Sequence, residues 1–231
     1  GETAIGGMIE NYPGIEADGF DLMMNMKNQV MNYDVELFEE NLEEISKTST
    51  GFLVKTNSAE IETKAVILCV GRERRKLNLS NEESLVGKGV SYCSTCDAPL
   101  YKDKIAIVVG GGNAAVEGAI LLSKYASNVH LIYRGSSLFR PEKILLTQLE
   151  KCKNLELHLE SEVREIKEGN NGVEGVVVNK KGEDLDIYSD GLFIEIGADP
   201  RLEIPNQLGL DIDNETNEVA VNKLMETNVK G

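Results

Sequence analysis

Ile105-Ala106-Ile107-Val108-Val109-Gly110-Gly111-Gly112-Asn113-Ala114-Ala115-Val116-Glu117 places an unbroken apolar run directly before a glycine turn and the start of a helical pattern. Ile105 to Val109 reads as a fully buried strand. From Asn113 to Tyr125 the spacing is helical, with Val116, Ala119, Ile120 and Ser123 along one stripe, and Val129 to Tyr133 reads as a second strand. A β-α-β unit of about 30 residues requires a parallel sheet and a right-handed crossover. Inside it, Gly110, Gly112 and Ala115 form G-x-G-x-x-A. Glycines there let the backbone turn tightly and let a pyrophosphate approach the first amides of the helix, where the dipole places about half a positive charge. The alternative is a glycine turn that serves helix–sheet packing alone, but the strand before and the helix after favour a dinucleotide site.

The end of the second strand separates the dinucleotides. An NAD site calls for Asp or Glu to hold the ribose 2′-hydroxyl. This chain offers Tyr133, Arg134 and, a little further on, Arg140. Two guanidinium groups suit a 2′-phosphate, so NADP is expected over NAD, the alternative being two solvated arginines.

Outward from this unit the 231 residues are 41% hydrophobic, enough for a buried core, and carry a net charge of −15. That charge repels phosphate backbones and anionic lipid surfaces, which argues against nucleic acid and membrane as partners. The longest apolar runs, Val66 to Val70 and Ile105 to Val109, are five residues long, far below the ~20 that cross a bilayer. Tyr12-Pro13-Gly14 marks a turn, and Gly19 to Met31 a helix. Short strands are expected at Val35–Leu37, Glu44–Lys47 and Phe52–Thr56, and a buried strand over Lys64–Val70. Arg72 to Gly89 is charged and aperiodic, and reads as a linker at a domain boundary. A helix opens at Pro141 with Leu145, Leu149 and Cys152 inward. A meander is expected from strands near Glu156–Leu159, Glu162–Lys167, Val173–Asn179 and Leu185–Tyr188, before a last buried strand from Gly191 to Ile196.

Of four cysteines, Cys93 and Cys96 form C-x-x-C followed by Asp97. Such a pair closes a small disulfide, and a neighbouring carboxyl can carry the proton of a thiol. The rival readings are two unreactive thiols or half a zinc site. Zinc would need two more ligands from Cys69, Cys152, His130 and His158. Two of these fall on a buried strand and a core helix face, and the histidines read as ordinary and partly buried, so no metal site is expected.

Cys93-x-x-Cys96-Asp97, then Gly110-Gly-Gly-Asn113-x-Ala115-x-Glu117, then Arg134 and Phe139-Arg140 with Glu142-Lys143, resembles the bacterial and archaeal low-molecular-weight thioredoxin reductases. Glu10-Asn11-Tyr12-Pro13-Gly14 and Leu192-Phe-Ile-Glu-Ile-Gly197 with Asp199-Pro200 extend the resemblance over nearly the whole chain. It implies an α/β protein of two nested Rossmann-like, three-layer domains. A NAD(P) domain at 76–189 would be inserted into a discontinuous FAD domain at 1–75 and 190–231, with the two linkers as a swivel. It implies a flavoenzyme in which NADPH reduces FAD, FAD reduces the Cys93–Cys96 disulfide, and the dithiol reduces thioredoxin or a similar small protein. Cys96 would face the flavin, Cys93 would attack the partner and Asp97 would carry the proton. Gly110, Gly112, Asn113, Ala114, Ala115 and Glu117 would contact the nicotinamide cofactor, with Arg134 and Arg140 at its 2′-phosphate. Gly6, Gly7, Asn11, Ile196 and Gly197 would contact FAD.

A cytoplasmic location is expected from the absence of a leader and the reducing chemistry, and a homodimer from the same family. So is truncation at both ends, since the family's own flavin G-x-G-x-x-G strand and closing G-D segment are not in these residues; the piece alone would not hold FAD as the family does. Gly135 stands where the family has a second arginine, which opens the way to NADH. An NAD(P)-binding module without turnover, and a related flavin reductase fed by NADH or ferredoxin, are the alternative functions.

Overall fold

The computed structural model describes residues 2–5 and 8–231. Gly6 and Gly7, expected near the flavin, lie outside the described residues, as does the side chain of Asn11. The chain opens with α1 (Glu2–Ile5), the hairpin β1 (Met8–Tyr12) and β2 (Ile15–Asp18), and helix α2 (Gly19–Met31). Pro13 and Gly14 make the hairpin turn, Gly14 at φ +82°. Then come β3 (Leu42–Lys47), β4 (Phe52–Thr56), β5 (Glu60–Thr63), β6 (Arg72–Arg74), β7 (Val90–Ser91) and α3 (Ser94–Asp97). The middle is β8 (Ile105–Val109), α4 (Asn113–Leu122), β9 (Asn128–Tyr133), α5 (Lys143–Leu149) and β10 (Leu155–Leu159). β11 (Ser161–Gly169), β12 (Gly172–Lys180), β13 (Glu183–Tyr188), β14 (Gly191–Ile194), β15 (Ala198–Pro200) and α6 (Glu203–Gln207) complete it. No helix among the described residues is long and apolar enough to cross a membrane.

Two compact units result, one of Glu2–Met23 with Arg74–Gly197, the other of Met24–Glu73 with Ala198–Gly231. The larger is built on a fully parallel sheet in the order β10-β9-β8-β14-β7. Because β8 has no polar side chain, it is covered on both faces, as an inner parallel strand must be. On one face Ala106 and Val108 meet Val116, Ala119 and Leu122 of α4, all with no exposed area. Each of the valines and the leucine gains roughly 1.5–3 kcal/mol on burial, the alanines less. On the other face Ile107, Ile132 and Ile194 pack on Ile166, Val176 and Ile187 of the antiparallel sheet β11-β12-β13. Helices, parallel sheet and antiparallel sheet make three layers, so this unit has the expected Rossmann-like architecture.

Several expectations shift. Leu155–Leu159 does not belong to the meander: it pairs in parallel with β9 and forms the sheet edge. β14, expected in the outer segment that begins at residue 190, is hydrogen-bonded in parallel to β8 inside this sheet. The smaller unit holds the antiparallel sheet β3-β4-β5, with Ile45 and Phe52 buried. Gln207 of α6 ties to β3, accepting from the Ile45 N–H at 2.8 Å and donating to the Glu43 carbonyl at 3.1 Å. Val35–Leu37 forms no strand. Nor does Lys64–Val70, where Ile67 is 90% exposed: among the described residues the run pairs with no strand, and an apolar sequence without a ladder partner is not held as one. The third strand of this sheet is instead the more polar β5, which pairs with β4 from Glu60 to Thr63.

Candidate active site

β7 delivers the chain to the redox pair. Its parallel pairing with β14 ends at Ser91 and Phe193, and the Ser91 hydroxyl then accepts the Cys93 N–H at 3.0 Å. Cys93 caps α3 from an extended backbone, and its Sγ accepts from the Cys96 N–H at 3.3 Å. One helical turn places both side chains on one side, where they are joined as a disulfide with Cα atoms 5.4 Å apart. Cys93 is half-buried and Cys96 exposed, so the bond is open to exchange chemistry. Asp97 ends the same turn, half-buried, and donates its N–H to the Cys93 carbonyl at 3.2 Å. Burial, and then the charges of Asp97 and Asp190, push the Tyr101 phenol above its ordinary range.

Beneath the pair lies a contact that the sequence analysis missed. Ser94, between the cysteines, is 3% exposed and donates both its N–H (3.1 Å) and its hydroxyl (2.8 Å) to Glu195 Oε1. Glu195 follows β14, is itself 8% exposed, and its other oxygen lies 3.7 Å from Arg74 Nη1. Gly118 of α4 admits this arrangement: a Cβ there would come within 2.4 Å of Ser94 Oγ. The signal available was a single carboxylate in the apolar run Leu192 to Ile196, since a buried charge requires partners.

The glycine loop opens α4 as expected. Gly110 has φ +150°, and a Cβ there would strike the Glu195 carbonyl at 2.2 Å, so only glycine lets β8 and β14 run so close. At Gly112 a Cβ would meet nothing within 4 Å, which leaves the backbone approach to the first turn open. The amides of Asn113, Ala114 and Ala115 lie in that first turn, where no helical carbonyl faces them. This open, amide-lined start fits a pyrophosphate. Asn113 is clasped to Glu142, accepting its N–H at 3.0 Å and donating to its carboxylate at 3.3 Å, while Ala115 is buried and Glu117 exposed. Gly110 N–H donates to the Ile132 carbonyl at 3.0 Å, so the loop and the end of β9 lie together at the carboxyl end of the parallel sheet. Arg134 follows there, exposed; Arg140, also exposed, sits over the Phe139 ring at 5.7 Å. Just before Arg134 the Tyr133 ring lies against both Gly111 and Gly135, where added Cβ atoms would come within 2.2 and 2.5 Å of it. Ile196 packs on the antiparallel face, and the Gly197 carbonyl accepts the Arg75 N–H at 2.9 Å.

A C-x-x-C disulfide and a glycine loop opening a helix on one parallel sheet narrow the possibilities, and the family model for pyridine nucleotide-disulphide oxidoreductases matches residues 3–231. The chain belongs to the pyridine nucleotide-disulphide oxidoreductase family. It is 35% identical to the thioredoxin reductase of Mycoplasma genitalium over 97% of its own length and 71% of that protein. It is 34% identical to the thioredoxin reductase of Bacillus subtilis, over 96% of this chain and 71% of the relative. The crystal structure of Lactococcus lactis thioredoxin reductase superposes with a TM-score of 0.85 at 30% identity, covering 99% of this chain and 76% of that one. This member of the family carries its cysteine pair just ahead of the strand that leads into the glycine loop.

Proposed function

We propose that this oxidoreductase uses NADPH and FAD to reduce the disulfide of thioredoxin or a similar small redox protein through Cys93 and Cys96. The observation that carries the reading is the open Cys93–Cys96 disulfide, held on a buried Ser94–Glu195 anchor in the same unit as the dinucleotide loop. FAD, when bound, supplies the two electrons that convert this disulfide to a dithiol, and NADPH is their source. In the dithiol, the Cys93 thiolate attacks a sulfur of the partner disulfide, forming a mixed disulfide and releasing one partner thiolate. The Cys96 thiolate then attacks Cys93 Sγ and releases the second, so two electrons leave and the intramolecular disulfide returns. Asp97, on the same turn, holds and returns the proton of the thiol. Asn113, Ala114 and Ala115 would hold the cofactor pyrophosphate, with Gly110, Gly112 and Glu117 around it and Arg134 and Arg140 at the 2′-phosphate. Gly6, Gly7, Asn11, Ile196 and Gly197 are proposed as flavin contacts. A homodimer, and a NAD(P) domain inserted into a discontinuous FAD domain, rest on the family resemblance, with β14 counted in the inserted domain; a cytoplasmic location rests on the reducing chemistry.

The test is NADPH-dependent thioredoxin reduction by the full-length, flavin-loaded protein. Cys93→Ser and Cys96→Ser are each expected to lower the rate at least about a thousandfold, with NADPH binding retained. Undiminished turnover in the double variant would sink the reading. Tyr133 packed on Gly135 supports a second possibility, use of NADH, because a family-type arginine at 135 would displace that ring. Comparable kcat/KM for NADH and NADPH would establish it.

A further inference from the structure

His130 lies on β9, and Glu156 and His158 on the edge strand β10. The parallel register sets Glu156 beside His130 and His158 beside Ile132, so all three project from the same sheet face. Nδ1 of His130 and Nε2 of His158 are 3.0 Å apart, and each ring nitrogen has a Glu156 carboxylate oxygen at 3.6 Å. One ligand atom from each residue lies within 4.8 Å of the other two. Two ligands on a tetrahedral zinc, with bonds of about 2.0–2.1 Å, sit roughly 3.3 Å apart. The nitrogen–nitrogen and nitrogen–oxygen separations bracket that figure.

We propose that His130, Glu156 and His158 form a binding site for a zinc-class divalent cation, with a fourth position left to solvent at the sheet edge. Two imidazoles and one carboxylate suit such a borderline metal, whereas calcium and magnesium take oxygen-rich sets of six or more ligands. The histidine side chains are 13% and 10% exposed and the Glu156 side chain is 62% exposed, which gives a dry wall and an open entry. Burial lowers the proton affinity of both imidazoles; Glu156 opposes this, while His130 and Lys180 reinforce it at His158. Neutral imidazole is the form that binds metal.

His130 Nε2 also has an orienting partner, the Asn128 amide at 3.2 Å. With the amide N–H donating to Nε2, the His130 tautomer carries its proton on Nδ1 and donates it to His158 Nε2. On metal binding, Nδ1 becomes the ligand and the proton resides on Nε2, where a turned amide offers its oxygen. The ring stays neutral throughout, so no net proton need leave. In the sheet order β8 and β14 separate β9 and β10 from β7, which leads to the cysteine pair, and the site stands whether or not the redox reading holds.

The test is calorimetric titration of zinc chloride into the full-length protein, with Cys93 and Cys96 oxidised and Cys69 and Cys152 replaced by Ser. One zinc per chain is expected, with a rise in Tm. Glu156→Gln, which keeps the size of an exposed side chain, should weaken binding at least about tenfold, and Asn128→Ala by a similar factor. His158→Asn should abolish it. A protein that takes up no zinc, or a Glu156→Gln variant that binds as tightly as the parent, overturns the proposal.

Discussion

Glu195 is a buried carboxylate just past the end of a strand, and it survives there because Ser94 directs two donors at one of its oxygens. Truncation to alanine would strand a buried amide and a buried hydroxyl. Glu195→Ala is therefore expected to lower stability by about 1–3 kcal/mol in urea denaturation, and Glu195→Gln, which keeps an acceptor, by less. Gly118 tests the same contact from the other side. In a free helix Gly→Ala gains about 1 kcal/mol. Here the new methyl lies 2.4 Å from Ser94 Oγ, and overpacking costs about 1–3 kcal/mol, so the clash wins and Gly118→Ala should destabilise. In a Ser94→Ala background the loss should shrink, since the nearest atom is then the Ser94 Cβ at 2.9 Å. Additive losses in the double variant would contradict this coupling.

Among elements, the charged stretch before the cysteines is the instructive case. It reads as a linker because no period runs through it, yet it is organised around one buried side chain. Glu82, 2% exposed, accepts the Leu77 N–H (3.1 Å), the Leu79 N–H (3.2 Å) and the Tyr92 hydroxyl (2.6 Å). Burial first, and then Glu82, raise the Tyr92 phenol well above its ordinary range. Glu82→Leu should cost about 3 kcal/mol, whereas Tyr92→Phe removes one of three donors and should cost about 1 kcal/mol; thermal denaturation of both variants would show the ranking. Elements with a strong internal period were legible: α2 spans Gly19–Met31 as expected, and β8, α4 and β9 follow in order. Those defined by a distant partner were not. Nothing within residues 155–159 says whether the strand joins a meander or a parallel edge, because either sheet would bury part of it.

At the scale of the whole molecule, two histidines held below their ordinary pKa of 6.5 make stability depend on pH. Burial disfavours their protonation in the folded chain, so near and below pH 6.5 the unfolded chain binds more protons. Stability from this source is complete above about 6.5 and is lost as pH falls toward the lowered folded values. The carboxylates with lowered pKa, Glu39, Glu40 and Asp213, titrate below the ordinary 4.5 or 3.8, outside this window. The urea midpoint should therefore fall between about pH 7.5 and about pH 5.5, and a His130→Asn, His158→Asn double variant should show a flatter profile. Equal slopes would assign the loss to other groups.

The residues by themselves determined the chemistry that is local in the chain: the C-x-x-C turn, the glycine fingerprint and the strand and helix around it. Each depends on spacing within a few positions, where backbone geometry leaves little choice. Only the tertiary structure decided what lies beneath and beside them. Ser94 and Glu195 are 101 residues apart, and His130 and His158 meet through the register of two parallel strands. Such contacts follow from which strand lies next to which, and that is set by the packing of three layers at once.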